Sequence, residues 1–154
     1  MKQVLKLIFC AALFFWSNAV CSQERVMDKE NLFTAGEIKQ IDSLLQAYNK
    51  KTGNLVAVYT DSADISAKDF GDDVYALFKK PRSDDAYSFI LMMSRKHSLL
   101  FSTVNKKTGP LTNQQQLIGV LQAGFDSFKE KRRAEGVIKI CTKAMELLDD
   151  LPKQ

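Results

Sequence analysis

Asp61, Asp84 and Asp85 stand at the ends of two apolar runs, and they are the side chains in this sequence best suited to chemistry. Carboxylates in loops at strand ends can converge in space, and hard oxygen ligands of this kind suit Ca²⁺, Mg²⁺ or Mn²⁺. Asp64 lies three positions after Asp61, and Asp28 precedes the first helical pattern. Asp61, Asp84 and Asp85 are the candidate ligands of such a cation. Aspartates beside turns also cap helices or face water, so the pattern admits both roles. Other chemistries find less material. The single histidine, His97, sits between Lys96 and Ser98 with no acidic neighbour, as expected of a solvated turn residue. The sequence holds no glycine-flanked nucleophilic serine, no phosphate-binding glycine-rich loop and no paired Cys/His zinc spacing.

The elements that must hold these aspartates are readable from periodicity. Thr34-Ala35-Gly36-Glu37 has the spacing of a capping box, and Ile38, Ile41, Leu45 and Tyr48 recur at helical intervals until Thr52-Gly53 offers a left-handed stop. Residues 24–33 read as an extended lead-in. Residues 54–60 form a short β-branched run, a buried strand. Ser66 to Asp69 offers a second helix start, with Phe70, Val74, Leu77 and Phe78 on one face. Residues 87–93 are apolar at nearly every position, as in a central strand, and residues 98–104 follow across the short turn Arg95-Lys96, an antiparallel hairpin. Thr112 and Gln115 repeat the capping-box spacing ahead of a stripe through Leu117, Leu121, Phe125 and Phe128. A last helix from about Ala134 places Val137, Ile140, Cys141, Ala144 and Leu148 inward, and Pro152 closes it. The order α-β-α-β-β-α-α predicts an α/β three-layer sandwich, a small mixed sheet with helices on both faces.

The 154 residues, 45% hydrophobic and 26% charged, suit one domain. Lys2 and Lys6 precede the apolar run Leu7 to Trp16, the pattern of a secretory signal, and Val20-Cys21-Ser22 supplies the small residues that cleavage requires. Residues 1–22 are therefore expected to be a signal peptide and residues 23–154 a single domain, secreted or periplasmic. A lipoprotein on Cys21 and an uncleaved anchor are the alternatives; Asn18 and Val20 fit a lipidation signal badly. Loss of Lys2 and Lys6 leaves 20 basic against 18 acidic side chains, a net charge of +2. Such a balance gives no support to nucleic-acid binding, which needs a concentrated basic face. The run Lys129 to Arg133 is the one basic cluster, read as a solvated helix end, with contact to an anionic membrane surface as its alternative. Cys141 would be the only mature thiol, so no internal disulfide forms, and its place on an apolar face predicts a buried, inert residue.

Asp28, Thr52-Gly53 before an apolar strand, Thr60-Asp61, Ala76-Leu77-Phe78, Asp84-Asp85 ahead of Phe89-Ile90-Leu91, and Arg95 together resemble the TPM domain. Members of that family are mostly exported or membrane-tethered α/β domains. Some bind divalent cations through loop acids near these positions and hydrolyse phosphomonoesters, so the resemblance implies a cation for Asp61, Asp84 and Asp85. The chain departs from the family in its loops: Lys79-Lys80-Pro81-Arg82 replaces Trp-Gly-Ile-Gly, Ala86-Tyr87 replaces Asn-Gly, and residues 105–109 replace a Gly-x-Gly turn. Glycine lets backbone approach a ligand in a way that residues bearing a Cβ restrict. The expectation is a monomeric binding or accessory module acting on an envelope protein. A metal-dependent phosphatase and a structural domain docking on a membrane partner are the competing readings.

Overall fold

The computed structural model describes residues 24–62, Phe78 and residues 86–152. Its centre is a four-stranded mixed sheet in the order β1 (Val26–Asp28), β2 (Leu55–Thr60), β3 (Ser88–Ser94) and β4 (Leu99–Val104). The first three strands run parallel, with Val26 opposite Val58 and Leu55 opposite Ser88. β4 returns antiparallel, pairing Phe89 with Val104 and Ser94 with Leu99. The predicted hairpin forms as expected. The lead-in segment does more than predicted, because its residues 26–28 add a parallel edge strand.

Helix α1 (Ala35–Thr52) crosses from β1 to β2. Thr34 and Glu37 form the reciprocal capping box, and Gly53 at φ 78° ends the helix by donating its N–H to Asn49 O at 2.8 Å. Ile41, Leu45 and Tyr48 point from α1 onto the sheet, where they meet Val56, Val58, Phe89 and Leu91. The inner face of α4 (Arg133–Asp149) joins them with Val137, Ile140, Cys141, Ala144 and Leu148. Tyr48 fastens the two helices, its hydroxyl donating to Asp149 Oδ1 at 2.8 Å. On the opposite face of the sheet, Leu55, Ala57, Tyr59, Ile90 and Met92 pack with Phe78, which is helical and buried. Both faces of β2 and β3 are therefore covered, which is why those strands read as continuous apolar runs.

Between β4 and α4 the chain departs from the predicted single helix. A short 3₁₀ turn (Gly109–Leu111) precedes α2 (Gln114–Gln122), and the helix then breaks before α3 (Phe125–Lys129). The cap lies one residue beyond the predicted Thr112: Asn113 Oδ1 accepts from Gln116 N, and Gln116 Oε1 accepts from Asn113 N, both at 2.9 Å. Thr112 is already used to close the 3₁₀ turn through Gly109 O and Thr108 O. The break falls at Gly124 because α4 approaches there. A Cβ on Gly124 would stand 2.6 Å from Gly136 O, and one on Gly136 would stand 2.5 Å from the Phe128 ring.

Candidate functional site

Three parallel strands end at one edge of the sheet, and loops beyond the carboxyl ends of parallel strands are where α/β folds place their ligands. The residues gathered there are Asp28 to Glu30 from the end of β1, Thr60 to Ser62 from the end of β2, and Ser94 to His97 from the end of β3. The sequence reading marked Asp61 and Asp28 among them. Thr60 stood out only beside Asp61 in the family resemblance, and Glu30, whose partners are distant in the chain, gave no signal.

Asp28 closes the loop that leads into α1. Its Oδ1 accepts from Leu32 N at 3.0 Å and from the Thr60 hydroxyl at 2.5 Å, while Oδ2 accepts from Phe33 N at 2.9 Å. The Thr60 oxygen accepts in turn from Glu30 N at 3.1 Å. Glu30 then binds β3: Oε1 accepts from the Ser94 hydroxyl at 2.9 Å, and Oε2 from Arg95 N at 2.8 Å. These bonds knit β1, β2 and β3 together at their ends. Charge-assisted bonds from backbone N–H groups to carboxylates are among the stronger ones in proteins.

Asp61 lies on the other side of this edge with Tyr59 and Lys29. The Tyr59 hydroxyl donates to Asp61 Oδ2 at 2.7 Å, and Lys29 Nζ donates to the same oxygen at 3.1 Å. The Lys29 ammonium also stands 5.0 Å from the centre of the Tyr59 ring. Tyr59 and Asp61 hold Lys29 above its ordinary pKa. Burial raises the Tyr59 phenol, and Asp61 adds to this against the opposing effect of Lys29. His97, at the β3–β4 turn, is half-buried and places Nε2 3.1 Å from the carbonyl oxygen of Ser62, so it fastens the turn to the end of β2.

The fit to a divalent cation can be judged for the residues described. Calcium requires six to eight oxygen ligands, and magnesium a near-octahedral set. Asp28, Glu30 and Asp61 all accept bonds from the chain's own donors, and a lysine ammonium stands against Asp61 where a cation would approach. Among the described residues no group of three or more His, Cys, Asp or Glu side chains is arranged to hold a metal ion. Asp64, Asp84 and Asp85 lie outside the described residues. The parallel register puts Asp61 level with Ser94, whereas β3 begins after Tyr87, level with Asn54. Along the strands those two levels are on the order of 20 Å apart.

A shallow groove of about 230 Å³ adjoins the same edge on the helical face, reaching from Leu32 and Ser94 to Phe128 and Arg133. A second cavity, about 530 Å³, opens at the opposite edge between Lys51, Asn54, Tyr87 and Lys107. Cys141, the predicted inert thiol, is fully buried, and burial pushes its pKa up to about 12. It is no nucleophile. No helix among the described residues is long and apolar enough to cross a membrane.

The family model that matches this chain is that of the TPM domain, over residues 26–147. Among solved structures, the BA42 protein of the psychrophilic bacterium Bizionia argentinensis is similar at 18% identity and a TM-score of 0.66, over 82% of this chain and 93% of that one. The N-terminal domain of a protein from P. gingivalis shares 14% identity at a TM-score of 0.62, covering 84% of this chain and 85% of its own. The N-terminal domain of the cg2496 protein of Corynebacterium glutamicum shares 9% identity at a TM-score of 0.60, over 86% and 85%. At these identities the likeness shows a shared fold. No curated protein matches the chain.

Proposed function

We propose that this chain, which belongs to the TPM domain family, is an exported binding module of the cell envelope rather than a phosphatase. One observation carries the reading. The carboxylates described at the carboxyl edge are spent on holding strands and loops together, with Asp28 on Leu32, Phe33 and Thr60, Glu30 on Ser94 and Arg95, and Asp61 on Tyr59 and Lys29. A metal-dependent hydrolase needs carboxylates turned toward a shared cation and a bound water. The departures from the family's loop glycines around residues 79–87 and 105–109 support the same reading. Export rests on the leader pattern of residues 1–22, and the mature chain is expected to begin near Gln23.

The test combines processing with turnover. Intact mass of material recovered outside the cytoplasm should correspond to a chain starting near Gln23, without diacylglycerol on Cys21. That mature domain, with calcium or manganese present, should leave a generic aryl phosphate unhydrolysed. Metal-dependent hydrolysis that is lost in Asp61→Asn, Asp84→Asn or Asp85→Asn would overturn the binding-module reading and establish the phosphatase.

A further inference from the structure

The groove beside the carboxyl edge combines features that the polar network there does not use. Leu32, Met93, Leu100 and Phe128 give it an apolar lining, and Leu99 at its margin is 45% exposed. Arg95 and Arg133 complete it. Among the described residues neither guanidinium forms a salt bridge; Arg133 acts on Glu37 only as a weak, longer-range attraction that adds to the bonds from Thr34. The basic run beside the groove is otherwise largely neutralised by its own neighbours. Lys129 pairs with Asp126 at 3.2 Å, and Arg132 pairs with Glu130 and Glu135. What remains is a localised positive charge at an apolar depression, and not the diffuse basic field that holds a protein to an anionic membrane.

The backbone around this depression is also unusual. The three non-glycine residues with positive φ among those described are Asn31 at 52°, Ser98 at 52° and Lys131 at 59°. Asn31 precedes Leu32, Ser98 lines the groove itself, and Lys131 lies two residues before Arg133. Left-handed conformations are uncommon for residues bearing a Cβ, and strained backbone gathers at sites of function.

We infer that the groove docks a segment of a partner protein in which a large apolar side chain stands next to a carboxylate. The apolar side chain covers Leu32, Leu100 and Phe128, and the carboxylate reaches Arg95 and Arg133, whose planar forks match it with paired hydrogen bonds. Volume favours this occupant. At about 230 Å³ the groove lies below the ~300–1,000 Å³ of small-molecule sites, room for one or two side chains and not for a long acyl chain. The inference deepens the binding-module reading and rests on it.

The test is amide chemical-shift mapping of the mature domain with a blocked Asp-Leu-Phe-Asp tetrapeptide, beside the charge-reversed Lys-Leu-Phe-Lys peptide and vesicles of phosphatidylcholine with phosphatidylglycerol. The acidic peptide should move Leu32, Ser94, Leu99, Leu100 and Phe128 while the basic one leaves them in place. A double variant, Arg95→Gln with Arg133→Gln, should keep a dispersed spectrum, because both residues are exposed, and should bind the acidic peptide about tenfold or more weakly. Three results would each remove the groove as a peptide site: no shifts at millimolar peptide, equal shifts with the basic peptide, or binding to vesicles alone. Aryl phosphate hydrolysis by the same samples would instead remove the binding-module reading.

Discussion

The two ends of the sheet are both closed by hydrogen bonds, but with opposite materials. At the end where β2 and β3 begin, the closing groups are neutral. Asn105 Oδ1 accepts from Thr108 N at 2.9 Å and from the Thr108 hydroxyl at 2.7 Å, and its Nδ2 donates to Ala86 O at 2.8 Å. The Thr108 hydroxyl oxygen takes Ser88 N at 2.9 Å, and Asn54 joins Tyr87 N to the Tyr48 hydroxyl. Asn105, Thr108 and Ser88 are buried. At the carboxyl end the closing groups are carboxylates, more accessible to water and next to arginines that form no ion pair among the described residues. A buried neutral network specifies one arrangement and costs heavily when a member is lost. An accessible ionic one can exchange partners at smaller cost, which suits the end where a partner is expected.

Cutting the neutral end should therefore produce the largest loss. Asn105→Ala strands the Thr108 donors and the Ala86 carbonyl in a buried site and should cost about 3 kcal/mol, read as a lower urea midpoint at unchanged slope. Asp28→Ala at the carboxyl end removes charge-assisted bonds to Leu32 N, Phe33 N and the Thr60 hydroxyl, but Asp28 itself is half-buried and water can enter the space it leaves, so a loss of about 2 kcal/mol is expected from the same measurement. A larger loss for Asp28 than for Asn105 would reverse the comparison. Thr34→Ala, which removes an exposed capping box at the start of α1, should cost about 1 kcal/mol by thermal melting. Lys29→Gln should cost less than about 0.5 kcal/mol, because the ammonium is more than half exposed, and that difference should vanish in 1 M salt.

Alkaline titration sharpens the comparison from another side. Tyr48 near the neutral end is raised to about 12, chiefly by burial with Asp149 adding, and Cys141 in the core is raised to about 12 by burial alone. Both groups keep their protons in the folded chain at pH values where the unfolded chain releases them. Their contribution is thus complete below pH 9 and lost as pH rises toward 12. Stability measured by denaturant should fall across that interval, and Cys141→Ala should lessen the slope. A thiol reagent should label Cys141 only as fast as the domain unfolds.

Most of the fold was legible because it is written locally. The Thr34 and Glu37 pair, the spacing of Ile41, Leu45 and Tyr48, and Gly53 each state their structure within a few residues. The failures arose where distant contacts decide. β1 has only three residues, too few for a periodic signal, and exists because Val26 finds Val58 across a helix. The Thr112 and Asn113 capping boxes are nearly equivalent in sequence, and only the bond from Thr112 to Thr108 O chooses between them. The break at Gly124 depends on Gly136 in the following helix. The site was less legible than the fold. Aspartates at strand ends are visible in the sequence as candidate ligands, whereas Glu30 gives no signal until Ser94 and Arg95, more than sixty residues later, are brought to it.

The pairing order of the sheet also has a kinetic consequence. β3 and β4 meet across a four-residue turn, whereas β2 must find β3 across 33 residues and Tyr48 must find Asp149 across 101. Closing longer loops costs more chain entropy before any contact compensates for it, so short-range pairings tend to form first. The hairpin and the helices that follow it are thus expected to acquire protection early, and the β1–α1–β2 unit to dock later. In pulse-labelled hydrogen exchange, the amides of Ile90 and Met92, which face β4, should be shielded ahead of those of Val58 and Tyr59; simultaneous protection of both sets would mean that the sheet forms in a single step.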